Sequence, residues 1–224
     1  MAHPFWSYWT LLSRLVPLDR FGEAAAFDSS LETATVRAVW TSLWAGVITA
    51  TAVLMHHIHA IRFEFHRLSS PHPQAAIWFG IALAVGWLAS GPACYGLLRL
   101  YTLVHHVLVL NVFKCRGQRL RLLNLHTQLL PLTAPLAAAY ACWPVAPRLG
   151  ASLTTAVVAY SVCIQAVAYN AIFHRRRLGG LGLLLGGSVI TWFVLAVGAL
   201  AIAISVAVLC FFALLLLRAV RPAG

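Results

Sequence analysis

Long apolar stretches alternate along the chain with short polar segments that are mostly basic. A helix needs about 20 consecutive apolar residues to cross roughly 30 Å of hydrocarbon. Five stretches meet this requirement, at about 39–60, 76–98, 122–145, 151–173 and 187–217. The pattern therefore predicts an all-α fold, a polytopic transmembrane helix bundle with five spans. Six spans are the alternative, because the last stretch is long enough to contain a tight hairpin near Gly198.

The second apolar stretch continues to Phe113 and is too long for one straight crossing. Gly91-Pro92 lies inside it and is expected to bend the helix. We expect the crossing to end at Arg99, with Tyr101 to Phe113 running along the interface or out of it.

The chain divides into three parts on this pattern. Residues 1–38 form an N-terminal part, with an aromatic, amphipathic interfacial segment around Phe5 to Leu18 followed by a polar linker. Residues 39–217 form the transmembrane helical domain, and residues 218–224 form a short tail.

Composition supports a membrane protein, because 61% of the residues are hydrophobic and only 9% are charged. Soluble domains contain about 25% charged residues. This excludes a soluble enzyme, a secreted disulfide scaffold and a disordered tail. The five cysteines are scattered without a CxxC pair, so no disulfide or zinc framework is indicated.

Sixteen Lys and Arg stand against five Asp and Glu. In a membrane protein such an excess usually determines topology rather than nucleic-acid binding. With five spans, ten cations share one side with the N-terminus and five lie on the other. The asymmetry predicts a cytoplasmic N-terminus. The frequent use of Arg, Ala and Leu favours a bacterial protein, and therefore the inner (plasma) membrane.

Two basic segments on the predicted cytoplasmic side are candidate binding sites for partner proteins or anionic lipid. Pure topology anchoring is the alternative interpretation. Their cations are Lys114, Arg116, Arg119, Arg121, Arg175, Arg176 and Arg177.

Histidines near the end of the first span suggest a metal site. His56 and His59 are three residues apart and share a face if the helix continues. Glu64 and His66 would complete a set of His and carboxylate ligands. The alternative is a group of interfacial histidines beside a local ion pair between Glu64 and Arg62 or Arg67.

A second group of histidines suggests haem ligation. A bis-His site needs two histidines at similar depth on different helices, and His105 or His106 with His126 or His174 would meet this condition. All four lie near predicted interfaces, and basic residues flank most of them.

No catalytic residue is assigned. The sequence contains no P-loop, no GxSxG turn and no HExxH motif. The glycine-rich run at 178–187 lacks the Lys-Ser/Thr of a phosphate loop, which favours helix packing or a flexible re-entry into the last span. No acidic residue lies within a span, which disfavours an ion-coupled transporter.

Features from the second span onward follow a recognisable order. His105-His106 and an apolar stretch precede a basic turn at Lys114 to Arg121, and Pro131 and Pro135 follow in the third span. A fourth span, a short basic turn and a last span complete the chain. This order, over about residues 30–217, resembles the Yip1-type membrane protein family. The chain departs from the family pattern in having only Gly117 in the basic turn and no tyrosine before Pro131.

The resemblance implies five spans, a cytoplasmic N-terminal region and a non-enzymatic membrane adaptor, which in eukaryotes is linked to small GTPases and vesicle traffic. We therefore expect a non-catalytic integral membrane scaffold or accessory subunit that works inside a membrane-protein complex. The alternatives are a His-ligated metal- or haem-binding membrane protein, for redox chemistry or metal handling, and a small permease subunit.

Overall fold

A computed structural model describes Trp6, Tyr8, Trp9 and residues 31–114, 119–173 and 177–220. In the last helix it describes the side chains of residues 179–200 and 203–205 only. The fold is all-helical, as predicted. Its helices are α1 (Leu31–His56), α2 (Ile58–Ser69), α3 (Pro73–Asn111), α4 (Arg119–Leu129), a 3₁₀ turn (Leu130–Leu132), α5 (Thr133–Cys142), α6 (Pro147–Phe173) and α7 (Arg177–Val220).

Within the residues that the structure describes, four helical stretches are long and apolar enough to cross a membrane. They are Leu31–His56, Pro73–Asn111, Pro147–Phe173 and Gly179–Ser205. This confirms a membrane-embedded helical protein. The α7 helix continues through Gly198 without the turn that a hairpin would need.

Helices α1 and α3 approach each other closely because small residues line the contact. The buried residues of α1 include Ala38, Ser42, Ala45 and Gly46. A Cβ at Gly46 would overlap the backbone of Ser90 on α3, so only glycine fits at this point. Small residues at helix contacts are the usual means by which membrane helices pack without a hydrophobic driving force.

The second apolar stretch forms one helix of 39 residues with Pro92 inside it. It does not end at Arg99, where the crossing was expected to stop, but continues to Asn111. The physical reason is packing, since Thr102, His105 and Val109 are buried against other helices. The segment after Arg99 is therefore part of the bundle rather than a surface segment.

The third apolar stretch is interrupted by the 3₁₀ turn between α4 and α5. Proline has no backbone N–H, so Pro135 cannot donate to the carbonyl of Pro131 one helical turn earlier. The Tyr8 hydroxyl donates to this carbonyl over 3.3 Å, beside the backbone N–H of Thr133, and lies 2.9 Å from Thr133 Oγ1. The break in the helix is thus closed by a side chain from the N-terminal part.

Tyr8 is fully buried, and the Trp9 ring packs edge-on against Trp44 in the middle of α1. These two residues of the predicted interfacial segment therefore contact the middle of the bundle, not its end. Apart from Trp6, Tyr8 and Trp9, that segment and its linker up to residue 30 lie outside the described residues.

Candidate functional site

One hydrophobic cluster holds together the end of α3, the start of α4, the end of α6 and the start of α7. It includes Val109, Leu122, Leu125, Phe173 and Leu183, all at most 6% exposed. Since α3 ends and α4 begins on either side of one basic segment, and α6 and α7 flank the other, both segments meet the bundle at the same end. We call this end, where the helices that flank the two basic segments meet, the basic end.

The described cations of the basic end lie at its helix ends. Lys114 follows α3 with a φ of 52°, a left-handed conformation that turns the chain out of the helix. Lys114 and Arg119 are exposed, and Arg121 is half-buried in the first turn of α4. Arg116, Arg175 and Arg176 lie outside the described residues, and only the backbone of Arg177 is described.

A cluster of buried polar side chains lies just inside the basic end and joins three long helices. The ring of His105 on α3 lies between Thr191 on α7 and Tyr169 on α6. Its Nδ1 is 2.9 Å from Thr191 Oγ1, and its Nε2 is 2.5 Å from the Tyr169 hydroxyl. All three residues are fully buried. We call these residues, with Thr102 and His126, the histidine cluster.

The hydrogen bonds of the histidine cluster assign the tautomer of His105. The Thr191 hydroxyl donates to the carbonyl of Gly187 over 2.6 Å, so it can only accept from His105. His105 Nδ1 therefore carries the proton, and Nε2 accepts from Tyr169. The imidazole is neutral in this arrangement, and both of its nitrogens are satisfied.

His126 on α4 completes the histidine cluster. Its Nδ1 is 3.0 Å from Thr102 Oγ1, and its ring lies edge-on to His105 with centroids 5.8 Å apart. His126 Nε2 is buried without a hydrogen-bond partner among the described residues. Tyr101, whose hydroxyl donates to Ser188 Oγ over 3.2 Å, packs against both histidine rings.

The glycine-rich run at the start of α7 packs against these polar groups, as one of its two interpretations predicts. A Cβ at Gly187 would lie 2.8 Å from Cε1 of His105, so glycine makes room for the imidazole. The Gly180 N–H donates to Asn170 Oδ1 on α6 over 3.0 Å. The run is part of a continuous helix rather than a flexible re-entry.

Of the four histidines suggested for haem, the structure brings together His105 and His126. His106 is half-buried on another face of α3, and His174 lies outside the described residues. An axial ligand needs a ring nitrogen with a free lone pair, yet both nitrogens of His105 are in hydrogen bonds. The observed geometry of His105 therefore does not fit iron ligation. It fits a residue that connects helices through hydrogen bonds.

The structure does not bring together His56, His59, Glu64 and His66. His56 Nδ1 is 2.9 Å from the carbonyl of Tyr140, and the two rings stack with centroids 4.1 Å apart. Glu64 pairs with Arg67 over 2.7 Å, which was one of the two ion pairs in the alternative interpretation. No group of three His, Cys, Asp or Glu side chains in the described ranges is placed to hold a metal ion.

Sequence reasoning missed the partners of the histidines. Tyr101, Thr102 and His105 fall on one helical face, a spacing that indicates a polar stripe in an otherwise apolar helix. Tyr169 gave no comparable signal, because a single tyrosine in an apolar span is also typical of ordinary packing.

No protein-family model, curated protein or solved structure matches the chain.

Proposed function

We propose that the chain is a non-catalytic integral membrane scaffold or accessory subunit that binds partner proteins or anionic lipid through its basic end. The observation that carries the proposal is the hydrophobic cluster that packs Val109, Leu122, Phe173 and Leu183 together. This packing supports a single cationic surface rather than two separate basic loops. Each cation close to an anionic membrane surface contributes about 1 kcal/mol, so several on one surface act together.

The proposal includes five membrane crossings. The interrupted stretch from Arg119 to Cys142 is helical through its 3₁₀ turn and would make the fifth crossing beside the four long helices. Five crossings put the N-terminus and the basic end on one side. The positive-inside rule then favours the cytoplasm, and the composition favours a bacterial inner membrane.

The histidine cluster supports a structural role for the interior. It joins α3, α6 and α7 through His105, Tyr169 and Thr191, directly beside the helix ends that carry the cations. A firm connection at this depth would hold the two basic segments in a fixed relation. A scaffold requires such a surface of constant shape.

The test is charge reversal at the basic end. The triple variant Arg116→Glu, Arg119→Glu and Arg121→Glu should lose co-purifying partner proteins or bound anionic lipid when the chain is isolated from native membranes in mild detergent. Reversal of Arg62, Arg67 and Arg148, at the opposite end of the bundle, is the matched control and should retain the partner proteins and the lipid bound at the basic end.

Topology must be followed in the same samples, because cations also determine orientation. Site-specific labelling of the triple variant distinguishes loss of binding from an inverted chain. Unchanged partners and lipid in a correctly oriented triple variant would contradict the proposed function.

A further inference from the structure

A groove runs between α1, α5 and α6 in the half of the bundle opposite the basic end. Its volume is about 430 Å³, within the range of about 300–1,000 Å³ that is usual for sites binding small molecules. The residues that line it are Thr49, Ala52, Val53, Thr133, Leu136, Ala137, Tyr140, Trp143 and Thr154.

The polar groups of the groove are turned away from it. The hydroxyls of Thr49, Thr133 and Thr154 donate to carbonyls of their own helical turns over 2.6–2.8 Å. Threonine in membrane helices commonly satisfies its hydroxyl in this way. The groove therefore presents hydrocarbon to its occupant.

The length of the groove matches one leaflet of a bilayer. From Thr133 to Trp143 it follows ten residues of the chain, which corresponds to about 15 Å of α-helix. The hydrocarbon core is about 30 Å thick, so each leaflet supplies about 15 Å. The groove thus reaches from the helix break near the middle of the bundle to the end of α5.

The outer end of the groove has the residues of a membrane interface. Tyr140 and Trp143 lie there, and aromatic side chains of this kind favour the headgroup level. The Tyr140 ring stacks on His56, and its hydroxyl is 3.3 Å from His57 Nε2. These contacts fix the tyrosine at the mouth of the groove.

Charge at this end favours an anionic head group. Arg148 is exposed in the first turn of α6, five residues after Trp143. Arg62 on α2 is also exposed, and Glu64, the one acid after residue 32, is paired with Arg67. The end of the bundle at which the groove opens therefore carries exposed positive charge.

We propose that this groove binds one acyl chain of an anionic phospholipid from the leaflet opposite the basic end, with the phosphate beside His57 and Arg148. The assignment rests on α5 being the outer half of a membrane crossing. It does not depend on the binding role of the basic end, because the groove lies at the other end of the bundle from Lys114 and Arg119.

The first experiment fills the groove. The full chain, stripped of lipid in detergent, is titrated with phosphatidylglycerol, and bound lipid is counted by native mass spectrometry. Ala137→Phe places a ring in the groove at a residue that is 8% exposed, whereas Ala138→Phe places the same ring on the exposed face of the same helix. We expect wild type and Ala138→Phe to hold one tightly bound lipid more than Ala137→Phe, whose affinity for that lipid should be at least about tenfold weaker.

The second experiment tests the head group. For the lipid that wild type binds and Ala137→Phe does not, phosphatidylcholine with identical acyl chains should bind more weakly than phosphatidylglycerol, and Arg148→Gln should reduce this difference. Equal wild-type binding of the two lipids would overturn the assignment of the anionic head group. Equal binding of phosphatidylglycerol by wild type and Ala137→Phe would overturn the groove itself.

A third measurement uses the unaltered chain and so does not depend on the folding of a variant. A phosphatidylglycerol with a diazirine in the middle of its acyl chain should label peptides that contain Ala52, Val53, Leu136 or Ala137. Labelling that spares these peptides and falls on the exposed apolar face of α7, at Trp192 and Phe193, would contradict the proposal.

Discussion

The hydroxyl of Tyr169 on α6 donates a hydrogen bond to Nε2 of His105 on α3, and both side chains are fully buried. The two residues are 64 positions apart in the chain, so the bond connects helices that are distant in sequence. The other ring nitrogen of His105 forms a hydrogen bond with Thr191 of α7. One imidazole therefore ties three long helices together beside the basic end.

Removing the Tyr169 hydroxyl should destabilise the protein. Tyr169→Phe leaves His105 Nε2 buried without a donor, and we expect a loss of about 1–2 kcal/mol in the free energy of unfolding. Unfolding in mixed micelles measures this quantity. Tyr140→Phe is the control, because its hydroxyl bond to His57 is exposed and longer, at 3.3 Å. Equal stability of the two variants would show that the buried hydrogen bond does not stabilise the packing of the helices.

Glycine at position 187 should be essential for close packing. Gly187→Ala adds a Cβ 2.8 Å from the His105 ring, and overpacking of this kind costs about 1–3 kcal/mol. Gly198→Ala on the same helix meets nothing within 4 Å and should be neutral or stabilising, since alanine is the better helix former. The same unfolding measurement should show a loss of stability for Gly187→Ala and none for Gly198→Ala. A stable Gly187→Ala would contradict the observed approach of α7 to His105.

Tyr8 should hold the N-terminal part against the helix break. Tyr8→Phe removes a buried hydroxyl that contacts both the Pro131 carbonyl and Thr133 Oγ1, at an expected cost of about 1 kcal/mol. Hydrogen exchange should then become faster around residue 8 and around Pro131. Trp6→Phe is the control, because Trp6 is 54% exposed. If both variants exchange like wild type, the contact does not anchor the segment.

His56 and His59 should not determine the metal content of the protein. His56 Nδ1 is within hydrogen-bond distance of the Tyr140 carbonyl, and Glu64 is paired with Arg67. The double variant His56→Ala and His59→Ala should therefore contain the same amount of copper, zinc and iron as wild type by elemental analysis. A stoichiometric metal that disappears in the double variant would restore the metal-binding alternative.

The apolar pattern predicted the helical, membrane-embedded class of the fold, because hydrocarbon thickness sets a length that is visible in one dimension. The interruption near Pro131 and Pro135 had a local signal in the missing N–H of proline. The continuation of α3 past Arg99 had no local signal in the sequence. It depends on burial of Thr102, His105 and Val109 against helices that follow much later in the chain.

The site predictions also failed where contacts between distant parts of the chain decide the geometry. The metal hypothesis assumed that His56 and His59 share one helix, but α1 ends at His56 and α2 begins at Ile58. The haem hypothesis identified His105 and His126, which do lie together, but Tyr169 and Thr191 occupy the nitrogens of His105. Sequence spacing located the polar residues, whereas their hydrogen-bond partners became visible only in three dimensions.

The central claim is that both basic segments face the cytoplasm from one end of the bundle. Membrane-impermeant maleimide labelling tests it directly, using two single-cysteine forms that retain a native thiol. Cys115 lies in the first basic segment, and Cys142 is exposed at the end of α5. A third form carries Arg176→Cys in an otherwise cysteine-free chain.

We predict that Cys115 and the thiol at position 176 react only from the cytoplasmic side, and that Cys142 reacts only from the opposite side. Labelling of positions 115 and 176 from different sides would contradict the single basic end. Labelling of all three from the same side would contradict the crossing formed by α4 and α5.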